Sequence, residues 1–476
     1  MDRQIVPDAH ATLAALWRDA GLPADALGRI TLTGADPVLP SSFAVGTALQ
    51  ASLGAAALAA IEVGLARGGP TQSASLDIAD VVRESACRFT LDGRTPPAWD
   101  KLSGLYRCGG SGGAEPGWVR LHANFAHHRD GALSLLGLPT GTATEREAVA
   151  EALRHWSAEA FESAIAERGL VAAAVRTPQQ WQQHPQAVAV AAMPLVGITR
   201  LGEAPPLPTI APRADGELPL RGLRVLELTR ILAGPVAGRT LAAHGADVLL
   251  VNSPHLPNID AIADTSRGKL SAHIDLATDA GREELRALVR ECDIFLQGYR
   301  PGGLAARGFG PEELVRLRPG IVCVSLSAYG EQGPWRERRG FDSLVQSATG
   351  MNVAEAEAFG SAEPKPLPLQ ALDFGAGYLL AFGALAASWR QRQAGGSWHV
   401  RVSLAGVGHW LRGLGRFADG PKAKAPGFEG AFEETDSGFG RLVAVRHAVR
   451  FSHSRAGWVR PSMPPGAHPP QWPAAN

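Results

Sequence analysis

Three groups of residues have the types and spacing to do chemistry. The first is Glu227-Leu228-Thr229-Arg230-Ile231-Leu232-Ala233-Gly234-Pro235, where an apolar run meets a helix start. Proline suits the first helical turn, where its missing N–H is not needed. Small residues at 233 and 234 let a ligand approach the backbone, and free N–H groups at a helix start favour a phosphate or a developing oxyanion. The stretch is not GxGxxG, and it reads equally as an ordinary tight turn. The second group is cationic. Arg267-Gly268-Lys269 precedes a strand-like run, Tyr299-Arg300-Pro301-Gly302 follows one, and Arg307 comes shortly after. Arginine and lysine recognise phosphate, and an aromatic face suits a purine. Ligands in open α/β sheets bind beyond the carboxyl ends of strands, so these residues can share one crevice. Taken singly, each is also a plain solvated charge. The third is Asp373 in Gln370-Ala371-Leu372-Asp373-Phe374-Gly375-Ala376-Gly377. It reads as a helix N-cap, and also as a carboxylate nucleophile with glycines leaving room for an acyl carbonyl; the two roles are compatible.

Two other clusters say less. Gly109-Gly110-Ser111-Gly112-Gly113 has loose GxSxG spacing, but Ala114-Glu115-Pro116-Gly117 follows it and no strand-to-helix turn is present. A hydrolase elbow is rejected. Gly109, Gly110, Gly112 and Gly113 are expected to form a mobile flap over a site, or else a surface loop. His122, His127, His128 and Asp130 match no familiar ligand spacing, and no metal site is expected.

The elements that must position these residues fall into blocks. Residues 1–100 read as a helical lead-in, an Ala-rich helix ending at Gly68-Gly69-Pro70, and a strand over 73–78. Residues 101–204 form a small α+β domain with a strand over 118–121 and helices near 145–155 and 159–168. A Pro-rich linker spans 205–218, since four prolines between 205 and 212 can continue neither a helix nor an interior strand. From 219 to 415 strands at 223–228, 247–251, 294–296 and 321–325 alternate with helices, which means βαβ units. A doubly wound parallel sheet, Rossmann-like in type, is expected there. A second small-residue helix over 374–389, then Gly395-Gly396, a short strand and Ser403-Leu404, repeats the order of the N-terminal block, which suggests an internal duplication. The Gly- and Pro-rich tail, 416–476, is expected to wrap over the rest or fray.

Composition excludes several classes. The 476 residues hold 46 basic and 46 acidic side chains, which argues against nucleic acid or an anionic membrane as a partner. The four cysteines, Cys87, Cys108, Cys292 and Cys323, form no CxxC pair, which fits a reducing, cytoplasmic compartment. Met1-Asp2-Arg3-Gln4 opens no signal core. The apolar run from Ala51 to Ala66, interrupted by Glu62, reads as a buried helix and not a membrane span.

Together these stretches resemble the family III CoA-transferases. Carrying the resemblance are Leu220-Arg221-Gly222-Leu223-Arg224-Val225-Leu226-Glu227-Leu228-Thr229, Leu232-Ala233-Gly234-Pro235, Gly245-Ala246-Asp247-Val248 and Arg267-Gly268-Lys269 with Ile274-Asp275-Leu276. Tyr299-Arg300-Pro301-Gly302, Gly333-Pro334-Trp335, and Asp373 with Gly377 complete them in the family's order. Gly169-Leu170-Val171 with His184-Pro185-Gln186, and Pro465-Gly466-Ala467-His468, are similar to the family's small domain and C-terminal end. The resemblance implies an enzyme with the family fold that moves CoA between an acyl-CoA thioester and a carboxylic acid. Asp373 would carry a mixed anhydride and then an aspartyl-CoA thioester. Backbone N–H groups at Leu232 and Ala233 would hold the oxyanion. Arg267, Lys269, Tyr299, Arg300, Arg307, Tyr329 and Gly330 would line the CoA site. CoA thioesters are then substrates, with no permanently bound cofactor and no metal. Here the small domain precedes the large one, unlike the family order, so the chain is expected to be a homodimer or a fused pseudo-dimer. Laying Phe43-Ala44-Val45-Gly46 on Phe374-Gly375-Ala376-Gly377 puts Ser42 where Asp373 stands, so one nucleophile per chain is expected. The same fold serves 2-methylacyl-CoA racemases, but Phe341, in the stretch where they use histidine, cannot transfer a proton. A non-catalytic acyl-CoA-binding scaffold is the other alternative.

Overall fold

The computed structural model describes residues 8–208 and 216–474. The sequence expectations for Met1–Gln4 and for half of the Pro-rich linker, residues 209–215, lie outside these residues. The N-terminal block opens with α1 (Ala9–Asp19), whose cap is Asp8 accepting from Ala11 N–H. After β1 (Ile30–Thr33) comes α2 (Val45–Ala66), buried at every position from Val45 to Gly64. Alanine and glycine make this possible, because a helix with so little side-chain bulk can be surrounded on all sides. It leads to β2 (Ala74–Asp77), parallel to β1, then α3 (Ile78–Glu84) and β3 (Phe89–Leu91).

The next block has its own small core around Tyr106, Val119, Phe161 and Ile165. Strands β4 (Gly104–Cys108), β5 (Gly117–Leu121) and β6 (Ala172–Ala174) form an antiparallel sheet. Helices α4 (Ala126–Leu135), α5 (Arg146–Leu153) and α6 (Ala158–Glu167) accompany it. Short helices α7 (Pro178–Gln182) and α8 (Pro185–Ala192) each start on proline, and α7 has a Thr177–Gln180 capping box. The chain then gives β7 (Gly197–Gly202), which leaves the small sheet and pairs antiparallel with the large one. Residues 197–202, expected in the small domain, thus extend the large sheet.

That sheet is built from β8 (Arg224–Leu228), β9 (Asp247–Asn252), β10 (Lys269–His273), β11 (Ile294–Gln297), β12 (Val322–Ser327) and β13 (Ser397–Ser403). The spatial order is β10-β9-β8-β11-β12-β13-β7, with every strand parallel except β7. The strand order reverses between β8 and β11, which is where such sheets open a crevice. The connecting helices are α9 (Ala233–Ala243), α10 (Ile262–Thr265), α11 (Asp279–Val289) and α12 (Pro311–Leu317). They are followed by α13 (Asp342–Ala348), α14 (Met351–Phe359), α15 (Ala371–Ala394) and α16 (Leu404–Gly413). Helices α2 and α15 are both long and apolar enough to cross a membrane, and both are buried in the core. Gly377 lets α15 close on α9, since a Cβ there would lie 2.7 Å from Ala233 O.

The tail returns across the molecule. Its hairpin β14 (Phe432–Ser437) and β15 (Gly440–Val445) pairs with β3, and β16 (Arg450–Phe451) pairs with β2. A buried charge cluster ties it down. Arg239 of α9 meets Glu84 of α3 at 3.4 Å and also binds Asp264. Glu84 accepts from His447 Nδ1 at 3.1 Å and from Ala448 N–H at 2.9 Å. Burial raises the Glu84 pKa, but His447 and Arg239 outweigh it and hold the group at about 2, below its ordinary 4.5. Because the folded pKa is depressed, this stabilisation is complete above pH 4.5 and is lost as pH falls towards 2. Glu84→Gln is expected to destabilise the fold by about 3–5 kcal/mol at neutral pH, since it leaves a buried cation short of charge. It should also flatten the stability profile in that acid window, as measured by urea unfolding across pH.

Candidate active site

A cavity of about 550 Å³ opens at the carboxyl ends of the central strands. Asp373, Leu232, Ala233, Tyr299, Arg300 and Arg307 all line it. The sequence placed these residues on four separate stretches, and the sheet topology brings them together.

Asp373 is not the N-cap of its helix. Gln370 stands at that position and makes no side-chain cap bond, so Asp373 lies in the first turn. The acceptor comes from elsewhere: Oδ2 of Asp342, at the start of α13, accepts from Leu372 N–H at 2.8 Å and from Asp373 N–H at 2.9 Å. Relieved of capping, the Asp373 carboxylate receives no hydrogen bond among the described residues. It is 8% exposed. Burial, and then the neighbouring Asp342 charge, push its pKa well above the ordinary carboxylate value. Asp342 itself is raised to about 6 by burial, against the bonds from Asp373, Gln346 and Leu372.

Opposite lies the β8–α9 turn. Ile231 has φ of 75°, a left-handed conformation that β-branched residues rarely adopt. The turn is braced from below. A Cβ at Gly234 would sit 2.5 Å from Thr229, whose hydroxyl donates to Glu227 at 2.6 Å. Lys269 Nζ lies 2.8 Å from Glu227 Oε2 and donates to Pro235 O at 2.8 Å. With α15 against α9 at Gly377, the N–H end of α9 and the Asp373 carboxylate face one space.

The structure sends other expected ligand residues elsewhere. Lys269 is wholly buried and serves Glu227 and Pro235. Arg267 is buried against Trp458, 3.7 Å from its ring centre, and donates to Val445 O and Asp264. Both sit at the amino end of β10, opposite the edge where ligands bind in a parallel sheet. Tyr329 packs edge-on against Trp335, and Gly330 fits under Met193; Ser327 and Ala328 line the cavity in their place. Gly109, Gly110, Gly112 and Gly113 all have positive φ, but their loop is held to the end of α5 by bonds to Leu153 O and Arg154 O and does not line the cavity.

Several lining residues were not among the expected site residues. Phe125, His127, His128 and Val171 come from the N-terminal half. Burial depresses His128 to about 3, and neither ring nitrogen has a partner among the described residues. His122 stacks on Phe341 at 3.9 Å. Arg230, Arg338 and Arg339 add cations, of which Arg338 lies 3.5 Å from Glu162. Arg230 was accessible by the strand-end rule, since it follows β8 directly.

Residues 220–418 match the family model described as CoA-transferase family III. An acyl-CoA transferase of Gibberella moniliformis is 30% identical over 364 residues, covering 70% of this chain and 62% of that protein. A probable fatty acyl-CoA transferase of Mycobacterium tuberculosis is 32% identical over 210 residues, covering 41% and 53%. Among solved structures, a CAIB/BAIF family protein from Brucella suis aligns at 27% identity and a TM-score of 0.36, covering 47% of this chain and 65% of that one. The chain spans about half the length of the curated relatives it matches.

The position of Lys269 gives a direct check. Lys269→Met leaves Glu227 buried without a charge partner and is expected to lower the unfolding free energy by about 3–5 kcal/mol. Arg300→Gln, at an exposed position, should change it by less than about 0.5 kcal/mol. Urea unfolding measures both.

Proposed function

We propose, from residues 220–418 being a CoA-transferase family III region, that this protein moves CoA between an acyl-CoA thioester and a carboxylic acid, with Asp373 as the covalent nucleophile. The observation that carries the reading is a buried carboxylate with no hydrogen-bond donor among the described residues, set opposite the N-terminus of α9 in one cavity. A carboxylate stripped of stabilising donors is reactive once ionised, and the first turn of α9 supplies N–H groups where an oxyanion would form. The relatives named as acyl-CoA transferases support an acyl-CoA donor.

The chemistry runs in four balanced steps. An Asp373 oxygen attacks the thioester carbonyl, the C–S bond breaks, and CoA thiolate departs, leaving an acyl–aspartyl anhydride. The thiolate attacks Cγ of Asp373, the Cγ–O bond to the acyl group breaks, and the donor acid leaves as its carboxylate. The acceptor carboxylate then attacks the aspartyl-CoA thioester, giving a new anhydride and free thiolate. Attack of thiolate on the acceptor's acyl carbon releases the new acyl-CoA and restores Asp373. Leu232 and Ala233 face the oxyanion, while Tyr299, Arg300 and Arg307 face the nucleotide end of CoA.

We read α2–β2–α3 as the counterpart of α15–β13–α16, with Ser42 at the place of Asp373. Ser42 donates through N–H and Oγ to Glu355 at 3.0 and 2.9 Å, and Arg416 donates to its hydroxyl at 2.6 Å. A serine engaged in this way supports a single nucleophile per chain.

Hydroxylamine trapping during incubation with acyl-CoA, followed by peptide mass spectrometry, tests the proposal. An adduct on Asp373 is expected, and Asp373→Asn should lower turnover by about a thousandfold or more with the fold retained. Turnover by Asp373→Asn at the parent rate would sink it.

A further inference from the structure

We propose that Asp342 is the positioning residue of the nucleophile: its one carboxylate holds the first turn of α15 from α13, the helix that packs on β5 and its Arg120 in the N-terminal half. The inference rests on Asp373 being the nucleophile. Oδ2 of Asp342 takes the N–H groups of Leu372 and Asp373 at 2.8 and 2.9 Å. Its Oδ1 accepts from Gln346, whose own carbonyl accepts from Asn352 at 3.1 Å and from Leu367 N–H at 2.9 Å. Asp342 is fully buried, so neither oxygen can trade these partners for water. The Asp373 backbone is therefore held from outside its own helix.

The geometry also sets charge against charge. A carboxylate accepting from the N–H of Asp373 lies close to the Asp373 side chain, and two buried carboxylates so placed resist ionising together. Arg120 comes from β5 of the small sheet, which packs against α13, and its charge favours the ionised form of Asp342. Its Nε is buried with no hydrogen-bond partner among the described residues, and its guanidinium lies over Trp99 at 5.0 Å. Facing the pair across the cavity are Arg230 after β8, Arg338 and Arg339 before α13, and His127 and His128 of α4. Burial first, and then the Asp342 charge that Arg120 favours, disfavour ionisation of Asp373. Arg120, which does not line the cavity, thereby gives the N-terminal half a hold on the chemistry.

The test is an infrared titration of the full chain carrying ¹³C-carboxyl aspartate, with the Asp373→Asn spectrum subtracted to isolate the Asp373 band. Asp342→Asn keeps an oxygen for the two N–H groups and removes the charge. It should lower the Asp373 midpoint by about one to three pH units, the order of shift that one neighbouring charge produces. The acid limb of adduct formation should move with it. Arg120→Gln should move the pair's titration upward. An Asp373 midpoint unchanged in both folded variants overturns the proposal. If Asp342→Asn does not fold, Arg120→Gln decides alone, and no upward shift overturns it. A normal titration shift without any trapped adduct in the parent would instead remove Asp373 as nucleophile.

Discussion

The site depends on one hydrogen-bonding constraint. A helix that begins inside a protein leaves N–H groups without partners, and each must be met or the fold loses stability. At α15 the obvious acceptor, Asp373, stands in the first turn, yet Asp342 from another segment meets Leu372 and Asp373 instead. Had Asp373 capped its own helix, the bonds would have lowered its pKa and dulled the carboxylate. With the duty moved to Asp342, Asp373 is left buried, without a donor among the described residues, and facing a cavity.

The other wall of the cavity is positioned by packing. Glycine at 377 brings α15 against the first turn of α9, and glycine at 234 seats that turn on Thr229. Beneath both runs the chain Thr229–Glu227–Lys269–Pro235, wholly inside the protein. A buried ion pair adds little net stability, but it specifies geometry, because few arrangements satisfy both charges. The left-handed Ile231 persists on that support. A charge pair far from any ligand thus shapes the surface a ligand would meet.

The N-terminal half makes the large sheet's cavity whole. Helix α2 packs along α15, α4 closes the cavity mouth with Phe125, His127 and His128, and β5 offers Arg120 to Asp342. The tail locks these parts through Glu84 and His447. Residues separated by more than 200 positions therefore share one electrostatic environment.

The sequence by itself determined the local features. The alternation of apolar runs with helical stretches foretold the strands β8 to β13. Small-residue runs marked α2 and α15, and the order of motifs from Leu220 to Gly377 carried the family resemblance. These signals are local, written in periodicity and in the backbone preferences of proline and glycine. What each charge would do was decided only by the tertiary structure. Arg267-Gly268-Lys269 looked like a phosphate site, yet its position at the amino end of β10 buries both cations against Asp264 and Glu227. Asp373 looked like a cap, yet Asp342 took the cap. Arg120 and Arg339 carried no local mark at all. Pairing, burial and the field at a carboxylate depend on neighbours distant in the chain, and only folding chooses them.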